Sequence, residues 1–203
     1  MTCWRRLAEW TRAGVWPRAA RGSARQGARC ERPGLLSCGG RRLPHPGVKG
    51  GPKTGRIPVN RGRTGSEHRL IADATGISLA ATLTGGNRND VTQLIPLLRA
   101  VPPVRGKRGR PRRRPDVVLA DLGYDHDKYR RLVWDLGVKR LIARRGTEHG
   151  SGLGTQRWVV EGAFAHLRWF RRLRIRWEIR GHIHEAFLTL GCALICWRRL
   201  RSL

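Results

Sequence analysis

The chain reads as an α/β domain with a mixed sheet, and three observations lead there. Residues 68–83 hold two strand-like apolar runs separated by Ala74-Thr75-Gly76, the pattern of a hairpin. Further on, apolar runs at 116–121 and 139–143 alternate with stretches of helical periodicity, as strands and crossover helices do. The last part, 157–200, contains no proline and carries apolar residues at helical spacing.

In chain order, residues 1–18 are expected to form a helical remnant, with Trp4, Leu7, Trp10 and Val15 on one face. At Ala19 the texture changes. Residues 19–47 contain 6 Arg, 6 Gly, 4 Ala and 3 Pro with one acid, Glu31, and no sustained period. The stretch 19–67 is therefore expected to be a disordered basic Gly/Pro/Arg linker ahead of a domain spanning 68–203.

Within that domain the hairpin strands are 68–73 and 77–83. A turn at 85–89 precedes Asp90, expected to cap a helix over 91–98, with Pro96 expected to kink or shorten it. The tract 102–115, rich in Arg, Pro and Gly, is too charged to pack and reads as a solvated loop that meets phosphates through Arg112, Arg113 and Arg114. A buried strand at 116–121 ends on Asp121, and a turn at 122–124 leads into a helix over about 126–136. A strand at 139–143 and a Gly/Arg loop at 144–154 come next. The helix 157–168 opens after that loop. The last helix, about 184–200, is expected to bury Ala186, Phe187, Leu190, Leu194 and Trp197.

Composition narrows the partner. Lys+Arg number 42 against 14 Asp+Glu, a formal charge of +28 over 203 residues. No neutral metabolite requires that surplus. A polyphosphate does, with nucleic acid first and an anionic membrane surface second. No apolar run of about 18 residues is present, so no spanning helix is expected. The opening residues lack the apolar core of a signal peptide. The five cysteines form no paired CxxC set, and Cys192 and Cys196 read as buried free thiols in a helix. The expected setting is the reduced cytoplasm, beside the nucleoid.

Two carboxylates stand out. Asp121 ends an apolar strand, where ligands of open α/β sheets gather, although a plain strand-end cap explains it as well. Glu161 shares a helix face with Arg157 and Arg168, at i, i+4 and i+11. That spacing allows an ion-pair ladder. It equally allows a metal-holding carboxylate beside cations that meet a phosphate backbone. Carboxylates converging from separate elements suit hard cations such as Mg²⁺, and two such ions can clamp the attacking and leaving oxygens of a phosphodiester.

Several motifs, in order, are familiar. Residues 119–125 (Leu-Ala-Asp-Leu-Gly-Tyr-Asp), 157–161 (Arg-Trp-Val-Val-Glu), 170–177 (Phe-Arg-Arg-Leu-Arg-Ile-Arg-Trp) and 83–91 (Leu-Thr-Gly-Gly-Asn-Arg-Asn-Asp-Val) resemble DDE transposases of bacterial insertion sequences. The resemblance covers about residues 48 to 200. It implies an RNase H-like fold and a two-metal mechanism with Mg²⁺, or Mn²⁺ in its place. Water would nick DNA at the element's ends, and the freed 3′-hydroxyl would attack target DNA. A homodimer would act. On the resemblance, Asp121 and Glu161 match the second and third catalytic, metal-binding acids. Arg157 matches the arginine before the glutamate, and Arg168 stands where a lysine is common. Arg171 and Arg172, in the trailing motif, would join Arg112, Arg113 and Arg114 in contacts to DNA. Gly154, Leu122 and Gly162 depart from the tyrosine, Lys/Arg and arginine usual at their places.

The first catalytic Asp should lie on a strand near position 42, yet residues 36–50 contain no Asp or Glu. The first catalytic strand is thus expected to be missing or disrupted. Codon degeneracy permits the stretch around 41–48 to read, one base out of frame, Val-Asp-Gly-Ser-His-Ile-Arg-Ala, which resembles the family's first acidic strand. Residues 19 to about 47 are expected to be translated out of frame, and the two-metal site to be incomplete. The expected protein is a degenerate insertion-sequence transposase without cleavage activity. The alternatives are a non-catalytic basic DNA-binding remnant and an RNase H-like nuclease that joins no ends.

Overall fold

The computed structural model describes residues 6, 9–10, 12–15, 35–38, 43–103, 114–146 and 154–201. Near the N terminus the backbone is helical at Arg6, Glu9, Trp10, Arg12 and Val15, with Arg6 paired to Glu9 at 3.7 Å and Trp10 46% exposed.

Among the described residues, seven strands form one sheet: β1 (Leu35–Cys38), β2 (Leu43–Pro46), β3 (Gly55–Arg56), β4 (Thr64–Ala72), β5 (Ser78–Gly85), β6 (Val117–Ala120) and β7 (Lys139–Ile142). The helices are α1 (Leu94–Ala100), α2 (Asp127–Asp135), α3 (Gly154–Arg168), α4 (Arg171–Arg174) and α5 (Gly181–Arg201). β4 is antiparallel to β1, β2, β3 and β5, whereas β1, β6 and β7 run parallel. The sheet is therefore mixed, as expected.

Its two faces carry separate cores, and alternation along β4 feeds both. Ile71 points into a core with Leu94, Leu97, Leu98, Val118, Ala120, Tyr124 and Val133, under α1 and α2. Leu70 and Ala72 point the other way, among Ala163, Phe164, Leu167, Leu173, Leu188, Cys192 and Ile195 of α3, α4 and α5. Helices on both faces explain why β4 is buried at every position but its first.

Several expectations are corrected. The tract 19–67, expected to be a linker, contributes β1, β2 and β3. Strand pairing draws on backbone N–H and C=O groups, so a Gly- and Pro-rich segment of weak pattern can still line the edge of a strong strand such as β4. β1 takes the position between β4 and β6. The α-helix that carries Pro96 as its third residue opens only at Leu94, after the 3-10 turn Asp90–Gln93, and runs to Ala100 in place of 91–98. Asp90 does not act as the cap. Asn89 accepts from Val91 N at 3.3 Å, and Asp90 is buried beneath it. α5 meets its expected face only in part: Ala186 is buried and Phe187 packs against the core, but Leu194 is 39% and Trp197 55% exposed, and Ile183, Leu188, Cys192, Ile195 and Cys196 are buried in their stead.

Candidate active site

Asp121 follows β6 directly. Its Oδ1 accepts from Leu122 N at 2.7 Å and caps the short 3-10 turn Leu122–Tyr124. The carboxylate is half-buried, so the strand-end cap is realised and the group also faces outward. The register matters more. Cys38 of β1 pairs with Ala120 of β6, so the chain leaves β1 at the level where β6 delivers Asp121. Residues 39–42 lie outside the described residues, and β2 then pairs with His68 to Gly65 on the same edge of β4.

Glu161 is half-buried in the middle of α3. Ala163, Phe164 and Leu167 hold that helix against β4, and it also packs on β1. Asp121 and Glu161 thus come from the two elements that flank β1, one beside it in the sheet and one across its face. No group of three or more His, Cys, Asp or Glu side chains able to hold a metal ion occurs among the described residues.

The candidate cations have different surroundings. Arg168 and Arg171 are exposed. Arg172 reaches buried Glu178 at 2.6 Å and lies 5.4 Å from the Phe187 ring centroid, so it has a structural task. Arg114 is exposed and donates to Leu136 O at 2.8 Å, at the end of α2. Arg112 and Arg113 lie outside the described residues, as does the side chain of Arg157.

The neighbouring acids are engaged elsewhere. Asp73 Oδ1 accepts from Thr75 N, Thr75 Oγ1 and Ile77 N at 2.9, 2.7 and 2.9 Å and builds the hairpin turn. Asp125 binds the Arg145 N–H at 2.8 Å and Arg130 Nε at 2.6 Å. The Arg145 amide, followed by the Arg130 guanidinium, holds that carboxyl below its usual range against the opposing effect of burial.

Sequence reasoning missed the buried polar groups that brace this sheet. On one face Arg69 binds Glu67 Oε2 at 2.9 Å, Asp90, Thr84 Oγ1 and the Arg88 carbonyl. On the other, the Arg176 guanidinium donates to Ser66 Oγ and to the carbonyls of Pro52, Lys53, Glu178 and Ile179. Burial draws the Arg176 pKa down, and nearby Glu178 partly opposes that. Backbone bonds from Arg176 N to Pro46 O and from Val48 N to Arg176 O lock it to the end of β2. The only sequence signal was the odd run Glu67-His68-Arg69 inside a strand, followed far downstream by Arg176.

No helix among the described residues is long and apolar enough to cross a membrane. Compared with known proteins, residues 42–196 match the family model described as a transposase DDE domain. A Burkholderia cepacia protein described as "Putative transposase for insertion sequence element IS402" is 55% identical over 182 residues, covering 90% of this chain and 86% of its own. With a family match over most of its length and a relative at that identity, the chain belongs to the DDE transposase family.

Proposed function

We propose that this chain is an insertion-sequence transposase that binds DNA, and that with the residues it carries it does not cleave it. Family membership and the charge of +28 support DNA, at the element's ends and in the target, as the partner in the bacterial cytoplasm. The observation that carries the second half is the register of β1 and β6. It ends β1 at Cys38 level with Ala120, the residue before Asp121, and residues 36–50 carry no carboxylate.

The donor set fits a divalent-cation site only in part. Asp121 and Glu161 are suitable hard oxygen ligands for Mg²⁺ or Mn²⁺. Two cations held side by side repel each other unless a carboxylate bridges them, and this chain supplies no third acid for that place. Asp121 would act as a ligand and cap, Glu161 as the second ligand, and Arg157 and Arg168 as phosphate contacts. A homodimer would bring two element ends together.

The out-of-frame origin of residues 19 to about 47 explains both the missing acid and the Arg/Gly/Pro excess. A match of 182 of the 203 residues starts no later than residue 22. That match therefore takes in most of the tract.

The test is end cleavage of the element's DNA in Mg²⁺ or Mn²⁺ by the chain as written and by a frame-restored version. The first is expected to bind without cutting and the second to cut, with the cutting lost on Asp121→Ala. Cutting by the unrestored chain that disappears on Asp121→Ala overturns the proposal.

A further inference from the structure

Trp169 is the most exposed large apolar side chain among the described residues, at 79%. Leaving so much indole in water is unfavourable unless a partner covers the ring. Its setting is rigid. Trp169 stands at the corner between α3 and α4, where its N–H bonds His166 O at 3.3 Å and the Phe170 N–H bonds Leu167 O at 3.1 Å. Leu167 and Leu173, 1% and 2% exposed, lie in the core with Phe170 packed against them. Arg174 Nε closes the corner on Arg168 O at 2.7 Å. Phe170 is thus turned inward and Trp169 outward.

The surroundings of the ring are cationic. Arg168, Arg171 and Arg174 are exposed along the same short stretch. Trp134, 68% exposed, differs in that the Arg140 guanidinium lies 5.5 Å from its ring centroid. A second copy of a chain carrying +28 is a poor electrostatic match for such a corner, whereas a polyanion is a good one. In a paired duplex the base faces are covered by their neighbours except at the end pair, so a flat aromatic ring sandwiches best with a base that has left the stack.

We propose that Trp169 is a stacking platform for an unpaired base at a DNA end, with Arg168 and Arg171 engaging the adjoining phosphates. The proposal rests on the DNA-binding reading above. The backbone that carries the ring is already held by the core, so stacking has only the side chain's own rotamers to fix.

The test uses the full chain at low salt and two labelled probes. One is a blunt duplex, and the other is the same duplex with a short single-stranded end carrying 2-aminopurine. The parent is expected to bind the overhang probe about tenfold more tightly and to quench its 2-aminopurine. Trp169→Ala is expected to lose both the preference and the quench while holding the blunt duplex within about twofold, and Trp169→Phe to keep part of each. Arg171→Ala should weaken both probes alike. A Trp169→Ala chain that keeps preference and quench overturns the proposal. So does a Trp169→Ala chain that sediments as monomer where the parent is a dimer, with the preference unchanged; that result would assign the ring to a second copy. Duplex binding by the parent without overhang preference removes only the stacking role, whereas no binding to either probe removes the DNA reading with it.

Discussion

The Nε2 atoms of His68 and His184 lie 2.9 Å apart, and neither residue is more than 1% exposed. At that distance one ring nitrogen donates and the other accepts, so the contact holds a single proton. On the far side, His184 Nδ1 meets Glu178 Oε2 at 2.9 Å, and Arg172 completes the row on Glu178 Oε1. This row ties β4 to α5 and α4, and all its members but Arg172 are buried. His184→Leu is expected to destabilise the fold by about 1–3 kcal/mol, read from urea unfolding at neutral pH.

Glu178 sets the acid limit of that row. Burial pushes its carboxyl pKa up, but the His184 hydrogen bond, a backbone amide and the charges of His184 and Arg172 outweigh it, leaving the value below the ordinary 4.5. The resulting stabilisation is complete above the unfolded value and is lost as pH falls through the lowered one. The unfolding midpoint of the parent should therefore fall in acid more steeply than that of Glu178→Gln. Parallel acid titrations of the two would contradict this.

Arg69, 2% exposed, is wedged between Glu67 and Asp90. Arg69→Leu leaves two buried carboxylates without their cation and should cost about 3–5 kcal/mol. Replacing all three by apolar residues of similar size should recover much of that loss. Guanidinium unfolding of the single and triple variants separates the cost of breaking the cluster from the worth of having it.

Arg112, Arg113 and Arg114 belong to a tract whose signal is electrostatic. Changing all three to Ala should weaken DNA binding evenly across sequences and lower the slope of log K against log salt by up to about 3. An unchanged slope would show that the tract does not touch phosphate.

Cys192 and Cys196 are buried thiols, and burial pushes them up to about 12 and about 11. Both should resist iodoacetamide at mildly alkaline pH in the native chain and be labelled once it is unfolded. Peptide mapping before and after denaturant reads this directly.

The hairpin, β6, β7, α2 and α3 were legible because each carries a period that burial on its faces then satisfies. β1 and β2 were not, because their place comes from the open edges of β4 and β6 and the side chains of the tract give little hint of it. The later part of the core face of α5, at Leu194 and Trp197, was misjudged for a related reason. Apolar residues surround it on most sides, so no polar stripe marks which side meets the sheet. Of the candidate site, Asp121 was legible as a strand end, since Val117–Ala120 is apolar and the carboxylate follows it. The task of Arg172 was hidden, because its partner Glu178 becomes buried only when the segment after α4 folds back beside α5. Gly51, at φ +103, was equally unreadable; a Cβ there would collide with the Ile179 carbonyl oxygen in the loop that Arg176 holds.

The position of β1 has one further consequence. It is the middle plank of the sheet, yet its parallel partner β6 is synthesised long after it. The local hairpin of β4 and β5 can close early, while one edge of β1 must wait for β6. A shorter product starting beyond β1 would fold its hairpin and helices around a slot with bare backbone donors and acceptors on both walls. Such a product should capture an extended strand from another polypeptide, a second copy included, and so turn a lost start codon into assembly by strand donation.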